Sequence, residues 1–377
     1  MLTFLHDIMD TEKLETLIKE GYISRNLHGK FPLAVLNYTP QAQYDEKLVW
    51  GNELNFSRGL IYRTDTQEII ARPYTKFWNF SDTRHPETMP ENLPHEIPLF
   101  LDKVDGSLAI FFEWEGIIYV STRGSFHSEQ AEWATRYIHR KYPRLKLPKG
   151  DTPLGEIIYK ENHIVVNYDW EGVMIHGIVN IATGRERSRD EVKAYSRAMN
   201  LPIVKEFKTS LDSALKEDID NREGYVLTFP STGLKVKVKF ENYKKLFKFF
   251  TGINVHFIWE SMRNNENSII ESWLEDKSIP PTFKEWLKEK RKILLLKYDD
   301  IFSETEEIFY SLPDIDEIIK MQTPLPRNVR KNLAMEISSH RVSKLLFLML
   351  DGKDFSQDIW KMIEPKGNQT YSYGEDG

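Results

Sequence analysis

The chain of 377 residues contains no cysteine, and it has no long apolar run. Without thiols, neither a disulfide framework nor a thiolate zinc site can form, which is compatible with an intracellular protein. The longest apolar runs, such as Leu345 to Leu350, are far shorter than the ~20 residues that span a membrane. The first residues include Asp7, Asp10 and Glu12, whereas a signal peptide begins with basic and then apolar residues. We therefore expect a soluble, cytoplasmic protein with no membrane association.

The sequence also lacks an excess of positive charge. Lysine and arginine number 51 against 57 aspartates and glutamates, which gives a net charge of −6. Overall electrostatics therefore provides no support for nucleic-acid binding, and any such binding must use a local basic surface. Glycine-rich phosphate loops of the Walker type, catalytic-serine elbows and zinc motifs are absent as well, which leaves those chemistries without a basis.

What the sequence does contain is the stretch from Lys103 to Ser107, Lys-Val-Asp-Gly-Ser, between the apolar runs Pro98 to Leu101 and Leu108 to Phe112. Two strand-like segments on either side of Asp-Gly predict a tight turn between paired strands. Such a turn would place Lys103 at a strand end beside exposed backbone N–H groups, where it could meet a phosphate. Alone, the pattern is equally typical of a surface hairpin with a solvated lysine.

Further motifs occur on both sides of this stretch, each with a polar residue at the edge of an apolar or aromatic segment. They are the strand ending at Tyr38, Arg58-Gly59, the segment Arg72 to Phe80 with Lys76, the strand leading to Arg123, Glu156, His176, Glu223 with Val226, and Leu234 to Phe240. Each has a plain structural alternative: core aromatics, solvated cations, a salt-bridged strand glutamate or a core histidine.

In the last of these segments, Leu234 to Phe240, lysine alternates with apolar residues. The period of two places Lys235, Lys237 and Lys239 on one face of a strand. Three neighbouring lysines repel each other unless an anion lies across them, although a half-buried strand with a solvated lysine face is common.

Taken in this order, the motifs resemble those of the covalent nucleotidyltransferases, whose lysine motif is Lys-x-Asp-Gly, and most closely those of the phage RNA ligase 1 family. The resemblance implies an α+β fold: an ATP-grasp-like ligase domain of antiparallel sheets with flanking helices over residues 1–245. It also implies an ATP-dependent RNA ligase that uses Mg²⁺ and acts through a lysyl-AMP and an RNA-adenylate.

The resemblance also assigns roles to residues. Lys103 would be the catalytic nucleophile, Glu223 the residue near the metal, Lys76 a triphosphate contact, Glu156 a ribose contact and His176 the ring that stacks on adenine. The expected ATP-binding residues are Tyr38, Arg58, Lys76, Asp105, Gly106, Arg123, Glu156, His176, Val226, Lys237 and Lys239. A well-known relative has lysine at the position of Arg123, which preserves charge but not shape. Lysine must be neutral to attack phosphorus, and we expect the surrounding cations to lower the pKa of Lys103.

Beyond about Tyr243 the pattern becomes helical, which predicts an all-α domain over residues 246–377. Capping boxes at Thr282 and Ser303 predict helix starts, and Pro326 predicts a helix that runs to Leu350. DNA ligases and capping enzymes have a β-barrel in this place instead.

The basic residues of this region are the expected RNA footprint: Lys284, Lys288, Arg291, Arg327, Arg330 and Lys331. The expected partner is single-stranded or nicked-loop RNA, with tRNA as one candidate, and no obligate protein partner is evident. A DNA ligase or capping-type nucleotidyltransferase, and a catalytically silent relative that binds RNA or nucleotide, stay open as alternatives.

Overall fold

A computed structural model describes residues 2–162, 164–276, 279, 281–321 and 325–366. The chain forms two compact units, Met1–Lys248 and Phe249–Ser372. Residues 367–377, which the sequence analysis assigns to the second domain, lie outside the described residues. No helix within the described ranges is long and apolar enough to cross a membrane.

The first unit combines three sheets with short helices. Its strands are β1 (Ile23–Leu27), β2 (Leu33–Tyr38), β3 (Arg58–Arg63), β4 (Ile69–Ala71), β5 (Trp78–Asn79), β6 (Leu99–Asp102), β7 (Ser107–Trp114), β8 (Ile117–Ser121), β9 (Asp151–Ile158), β10 (Gly172–Asn180), β11 (Glu206–Phe207), β12 (Gly224–Thr228) and β13 (Lys235–Lys239). Its helices are α1 (Thr11–Lys19), α2 (Pro40–Tyr44), α3 (Asn52–Phe56), α4 (Glu129–Lys141), α5 (Arg189–Met199) and α6 (Leu211–Lys216), and α7 (Glu241–Gly252) begins in this unit.

The sheets have the strand orders β1-β2-β3-β4, β10-β9-β7-β8 and β11-β6-β12-β13-β5. The described strand pairs are antiparallel except β5 with β13. The expected architecture of antiparallel sheets with flanking helices is therefore confirmed for the first unit. Each sheet buries apolar side chains because strand residues alternate between faces. Leu14 of α1 packs with Leu36 and Leu60 of the first sheet, and Ala134 of α4 packs with Phe111 of the second.

The predicted hairpin at Asp105-Gly106 is wrong. Strand β6 pairs with β11 and β12, whereas β7 pairs with β8 and β9. The segment between them therefore crosses from one sheet to another, and the Lys103 amide donates to the Gly224 carbonyl at 3.0 Å. Gly106 is needed for close approach: a Cβ there would lie 2.5 Å from the Ile157 carbonyl oxygen. The apolar runs on both sides fit two buried strands equally well whether or not they pair with each other.

The helices described in the second unit are α8 (Val255–Arg263), α9 (Asn267–Glu275), α10 (Pro281–Ser311), α11 (Ile315–Ile318), α12 (Arg327–Ile337), α13 (Ser343–Leu350) and α14 (Ser356–Met362). The helix start predicted at Thr282 lies within one residue of the observed start of α10, at Pro281. The start predicted at Ser303 is wrong because Ser303 lies inside α10. Near Ser303, the Thr305 hydroxyl donates to the Ile301 carbonyl at 2.7 Å, a bond available inside a helix. Pro326 caps α12, but that helix ends at Ile337 and a separate helix, α13, runs to Leu350.

Candidate active site

A cavity of about 340 Å³ in the first unit collects every site residue predicted from the sequence. Its lining includes residues from β2, β3, β6, β9, β10, β12 and β13 and from the Lys103–Gly106 crossover. The sheets thus bring together side chains that lie up to two hundred positions apart in the chain. Their individual roles stay predictions.

The reactive end of the cavity contains an ion-paired lysine. Lys103 Nζ lies 2.6 Å from Glu223 Oε2, and Lys239 Nζ lies 2.9 Å from Glu223 Oε1. Glu223 is 2% exposed, so both of its oxygens are committed to these lysines in a buried setting. Burial raises the pKa of Glu223, but the two lysines more than offset this effect and hold its pKa below the ordinary value.

The expected lowering of the Lys103 pKa is not what the structure gives. Burial lowers the pKa of Lys103, but attraction to Glu223 and Glu156 outweighs burial, and the pKa lies above its ordinary value. The contact at 2.6 Å explains the difference, since a carboxylate at this distance favours the ammonium form more than the neighbouring cations oppose it. The sequence shows which charges are present, not which of them touch Lys103.

Asp105 is held in place by donors of the chain itself. Its Oδ2 accepts the amides of Val165 and Val166 at 2.8 and 2.9 Å, and its Oδ1 accepts the Tyr243 hydroxyl at 2.8 Å. Burial raises the pKa of Asp105 to about 6, and the charge of Glu223 adds to the rise. The carboxylate therefore fixes the crossover that carries Lys103, and direct contact with ATP stays a prediction. Tyr243 was missed because it lies far along the chain, at the start of α7.

Four cations and two aromatic rings form the next part of the cavity. The Tyr38 hydroxyl accepts from Lys76 Nζ at 2.6 Å and from Arg123 Nη1 at 2.7 Å. Arg58 and Lys237 lie over the Phe77 ring, at 5.4 and 4.8 Å from its centroid. Phe77 is therefore the ring that two of the cations share.

Within the described part of the chain, none of these four cations forms an ion pair with a carboxylate. Burial lowers the pKa of Lys76, and burial together with the charges of Lys103 and Lys76 lowers the pKa of Lys237 well below its ordinary value. Buried Arg58 Nη1 has no hydrogen-bond partner among the residues the structure describes. Because an unpaired buried donor is costly, the arrangement fits a polyanion such as a triphosphate.

Another part of the cavity, called the base end, contains the two groups expected to hold ribose and base. His176 Nε2 on β10 lies 3.8 Å from Glu156 Oε2 on β9. Burial raises the pKa of Glu156 to about 8, and burial with the charges of Lys235 and Arg58 lowers the pKa of His176 to about 3. At neutral pH both groups are therefore mainly uncharged. Val226 on β12 lines the same cavity, as the stacking hypothesis requires.

A polar cluster at this end was not predicted. Lys235 Nζ lies 2.6 Å from Glu186 Oε2 and donates to Thr228 Oγ1 at 2.8 Å, while the Tyr74 hydroxyl donates to Glu186. The alternation in β13 shows the face on which Lys235 lies, but nothing in the local sequence places Glu186 beside it.

A magnesium ion fits this site only together with phosphate. Among the described residues, no group of three or more histidine, aspartate or glutamate side chains could hold a metal. Magnesium often binds through one or two carboxylates plus substrate phosphates. At the reactive end, Glu223 is the carboxylate that could bind the magnesium ion, and it would give up its contact with one of the two lysines to do so.

Comparisons with known proteins agree with the motif order. A protein of Thermovibrio ammonificans named as a candidate RNA ligase is 27% identical over 269 residues, which cover 67% of this chain and 68% of that protein. A baculovirus protein of Autographa californica nuclear polyhedrosis virus, named as a candidate bifunctional polynucleotide kinase/RNA ligase, is 23% identical over 264 residues. The match covers 59% of this chain but only 36% of the viral protein.

Among solved structures, an archaeal ATP-dependent RNA ligase (form 2) is 15% identical, with a TM-score of 0.46, covering 81% of this chain and 80% of that one. The Naegleria gruberi RNA ligase with pyrophosphate is 16% identical, with a TM-score of 0.34, and the match covers 41% of this chain and about half, 52%, of that chain. These structural likenesses are too weak to carry an argument.

The sequence pattern of the RNA ligase family matches residues 56–248, slightly more than half of the 377 residues. The match covers the segments from Arg58 to Lys239 on which the resemblance depends. It confirms the expected family and enzyme class: the chain belongs to the RNA ligase family.

Proposed function

We propose that this protein joins RNA 5′-phosphate and 3′-hydroxyl ends at the expense of ATP, through a lysyl-AMP at Lys103 and an RNA-adenylate. The observation that carries the proposal is one cavity lined by a half-buried lysine, a cluster of cations and a neutral histidine. Within an RNA ligase family, this arrangement fits a nucleoside triphosphate with its α-phosphate at the lysine.

In the first step the neutral Lys103 amine attacks the α-phosphorus of ATP. A nitrogen–phosphorus bond forms, the bond to the β-phosphate breaks, and pyrophosphate leaves. In the second step an oxygen of an RNA 5′-phosphate attacks the same phosphorus and frees the lysine. In the third step an RNA 3′-hydroxyl attacks the activated 5′-phosphate, loses its proton and displaces AMP.

Lys103 must lose a proton and its ion pair with Glu223 before the first step. Glu223 Oε2 is 2.6 Å from Nζ and is the nearest carboxylate oxygen given by the structure. Magnesium, when bound, would neutralise phosphate charge, with Glu223 and phosphate oxygens as its ligands. Lys239, on the other side of Glu223, would keep that carboxylate oriented as the first contact is exchanged.

The triphosphate is proposed to lie along Arg58, Lys76 and Lys237, because these half-buried cations of the cavity have lowered pKa values, and Arg58 also has an unpaired donor. A bound polyanion would favour their charged forms and supply hydrogen-bond acceptors. Arg123 shares the Tyr38 hydroxyl with Lys76 and would add charge at the same place.

The base and ribose are proposed to lie at His176 and Glu156. With a pKa of about 8, Glu156 is mainly a carboxylic acid at neutral pH, and it can both donate to and accept from a ribose hydroxyl. Uncharged His176 and apolar Val226 would cover the two faces of adenine.

The region from residue 246 onward is proposed as an all-helical RNA-binding domain, with single-stranded or nicked-loop RNA, including tRNA, as the cytoplasmic substrate. Two of the six expected contacts are ion-paired within the second unit: Arg291 with Glu271 at 2.8 Å, and Arg330 with Asp351. Lys288, Arg327 and Lys331 are exposed and are the stronger candidates for phosphate contacts.

The experiment is to incubate the full-length protein and Mg²⁺ with ATP labelled in its α-phosphate, and separately with 5′-phosphorylated RNA or DNA of one sequence. We expect a labelled protein and joined RNA. Lys103→Ala and Lys103→Arg should form no adduct, because neither side chain offers a neutral amine, whereas Lys149→Ala, an exposed control, should label normally.

Lys103→Ala should still join RNA that is supplied already adenylylated. A wild-type protein that binds ATP but never labels would identify a silent relative. A preference for DNA ends would favour the DNA ligase alternative.

A further inference from the structure

A second cavity, of about 710 Å³, lies against the nucleotide cavity within the first unit. The side chains that line both cavities are Tyr74, Lys76, Phe77, Trp78, Leu101 and Lys235. Where one side chain borders both spaces, that side chain is the partition between them.

The partition at the base end consists of residues next to the proposed stacking pair. The Tyr74 ring lies 5.5 Å from the His176 ring, centroid to centroid, with 26° between their planes. Leu101 is the cross-strand partner of Val226. The walls of the proposed base pocket therefore continue directly into residues that face the second cavity.

Tyr74 is fixed from behind by the unpredicted polar cluster. Its hydroxyl donates to Glu186, and Glu186 is held in turn by Lys235 Nζ at 2.6 Å. The same ammonium lies 4.3 Å from the centroid of the Tyr74 ring. These contacts restrain both the ring and the hydroxyl, so the Tyr74 side chain is held in one position between the two cavities.

The backbone of β10 is adapted to this wall. The register of β10 against β9 shifts between Ile175 and Gly177. A Cβ at position 177 would overlap the Tyr74 hydroxyl and a carboxylate oxygen of Glu186. Glycine at 177 is thus what allows Tyr74 to stand between the two cavities.

We propose that Tyr74 is the end wall of the base pocket and limits the nucleotide to a purine without a large substituent on its outer edge. The inference rests on the proposed function, because it takes adenine to lie between His176 and Val226. In adenine, the edge that carries the 6-amino group points away from the sugar, and with ribose at Glu156 the proposal takes this edge to face Tyr74. The second cavity is the space into which a larger base would extend if the wall were removed.

The test uses the full-length protein and two labelled nucleotides: ATP, and ATP with a benzyl group on its 6-amino nitrogen. Wild type and Tyr74→Phe should form an adduct with ATP and reject benzyl-ATP. Tyr74→Ala and Tyr74→Val should accept benzyl-ATP about tenfold or more faster than wild type does, a range typical of pocket-size discrimination. A cavity of about 150 Å³ already holds a benzene ring, so the second cavity has room for the benzyl group.

If Tyr74→Ala labels with ATP but still rejects benzyl-ATP, the wall is refuted while the proposed function stands. If both small variants melt like wild type yet lose labelling with ATP, Tyr74 is a nucleotide contact and the inference is also refuted. Should the alanine variant fail to fold, Tyr74→Val decides alone. Absence of ATP labelling in the wild type would refute the proposed function itself.

Discussion

Removing the carboxylate of Glu223 should strongly destabilise the first unit. Glu223 is 2% exposed and holds two ammonium groups, at 2.6 and 2.9 Å. Breaking a buried ion pair from one side typically costs about 3–5 kcal/mol, because the remaining charge is left without a partner. For a unit of this size, 1 kcal/mol corresponds to roughly 2–4 °C in Tm. We therefore expect Glu223→Ala to lower Tm by roughly 6–20 °C at pH 7.

The effect should depend on pH in a defined direction. The pKa of Glu223 is lowered in the folded protein, so its contribution to stability is present above the unfolded pKa of about 4.3 and is lost as the pH falls through the folded value. The Tm difference between wild type and Glu223→Ala should therefore shrink in acid. Melting curves followed by circular dichroism from pH 7 downward measure this directly.

Two further variants make the interpretation specific. Glu113→Ala removes an exposed carboxylate from β7 and should leave Tm within about 1 °C of wild type, as expected of a surface substitution. Adding Lys239→Met to Glu223→Ala should recover part of the loss, because it removes one of the two stranded charges. A Glu223→Ala protein that melts together with wild type at pH 7 would refute the argument that this carboxylate holds the site together.

The other predictions concern binding, domain roles and pH. His176→Ala should raise the ATP concentration needed for adduct formation about tenfold to a hundredfold, which corresponds to a loss of ~1–3 kcal/mol of stacking. His176→Phe should keep the ATP requirement of the wild type. If His176→Ala labels normally but has a lower Tm, the histidine is purely structural. Removal of the chain after about Phe250 should leave lysine adenylylation largely intact and impair RNA joining, and equal loss of both half-reactions in parallel assays would contradict separate roles. Because the pKa of Glu156 is raised to about 8, the folded state binds a proton that the unfolded state loses above about 4.3, and stability falls with rising pH across that interval. Glu156→Gln should flatten this fall in Tm, and parallel pH profiles of the two proteins would disprove it.

The sequence predicts the segments of the site better than their connections. The alternation of lysine and apolar residues in β13 is visible in five residues and requires no knowledge of distant partners. The Asp105-Gly106 turn was misassigned because pairing of β6 with β12 and of β7 with β9 depends on segments more than forty residues away. Local pattern shows that strands are present, whereas long-range packing decides which strands pair.

The same limit explains the electrostatics of the site. The motifs predict several cations near Lys103, and such cations would lower the pKa of Lys103. The direct contact with Glu223 reverses the direction, and contact distances are a property of the folded chain. Tyr243 and Glu186 were missed for this reason: each has a hydrogen-bond partner more than a hundred positions away in the chain.

We propose that Lys103 carries AMP during the reaction. This proposal is tested by mass spectrometry of the full-length protein after incubation with ATP and Mg²⁺, followed by peptide mapping under conditions that preserve the nitrogen–phosphorus bond. We expect one AMP per chain, on the peptide that contains Lys103, and its loss when 5′-phosphorylated RNA is added. An AMP found on another residue, or an adduct that persists in Lys103→Ala, would contradict it.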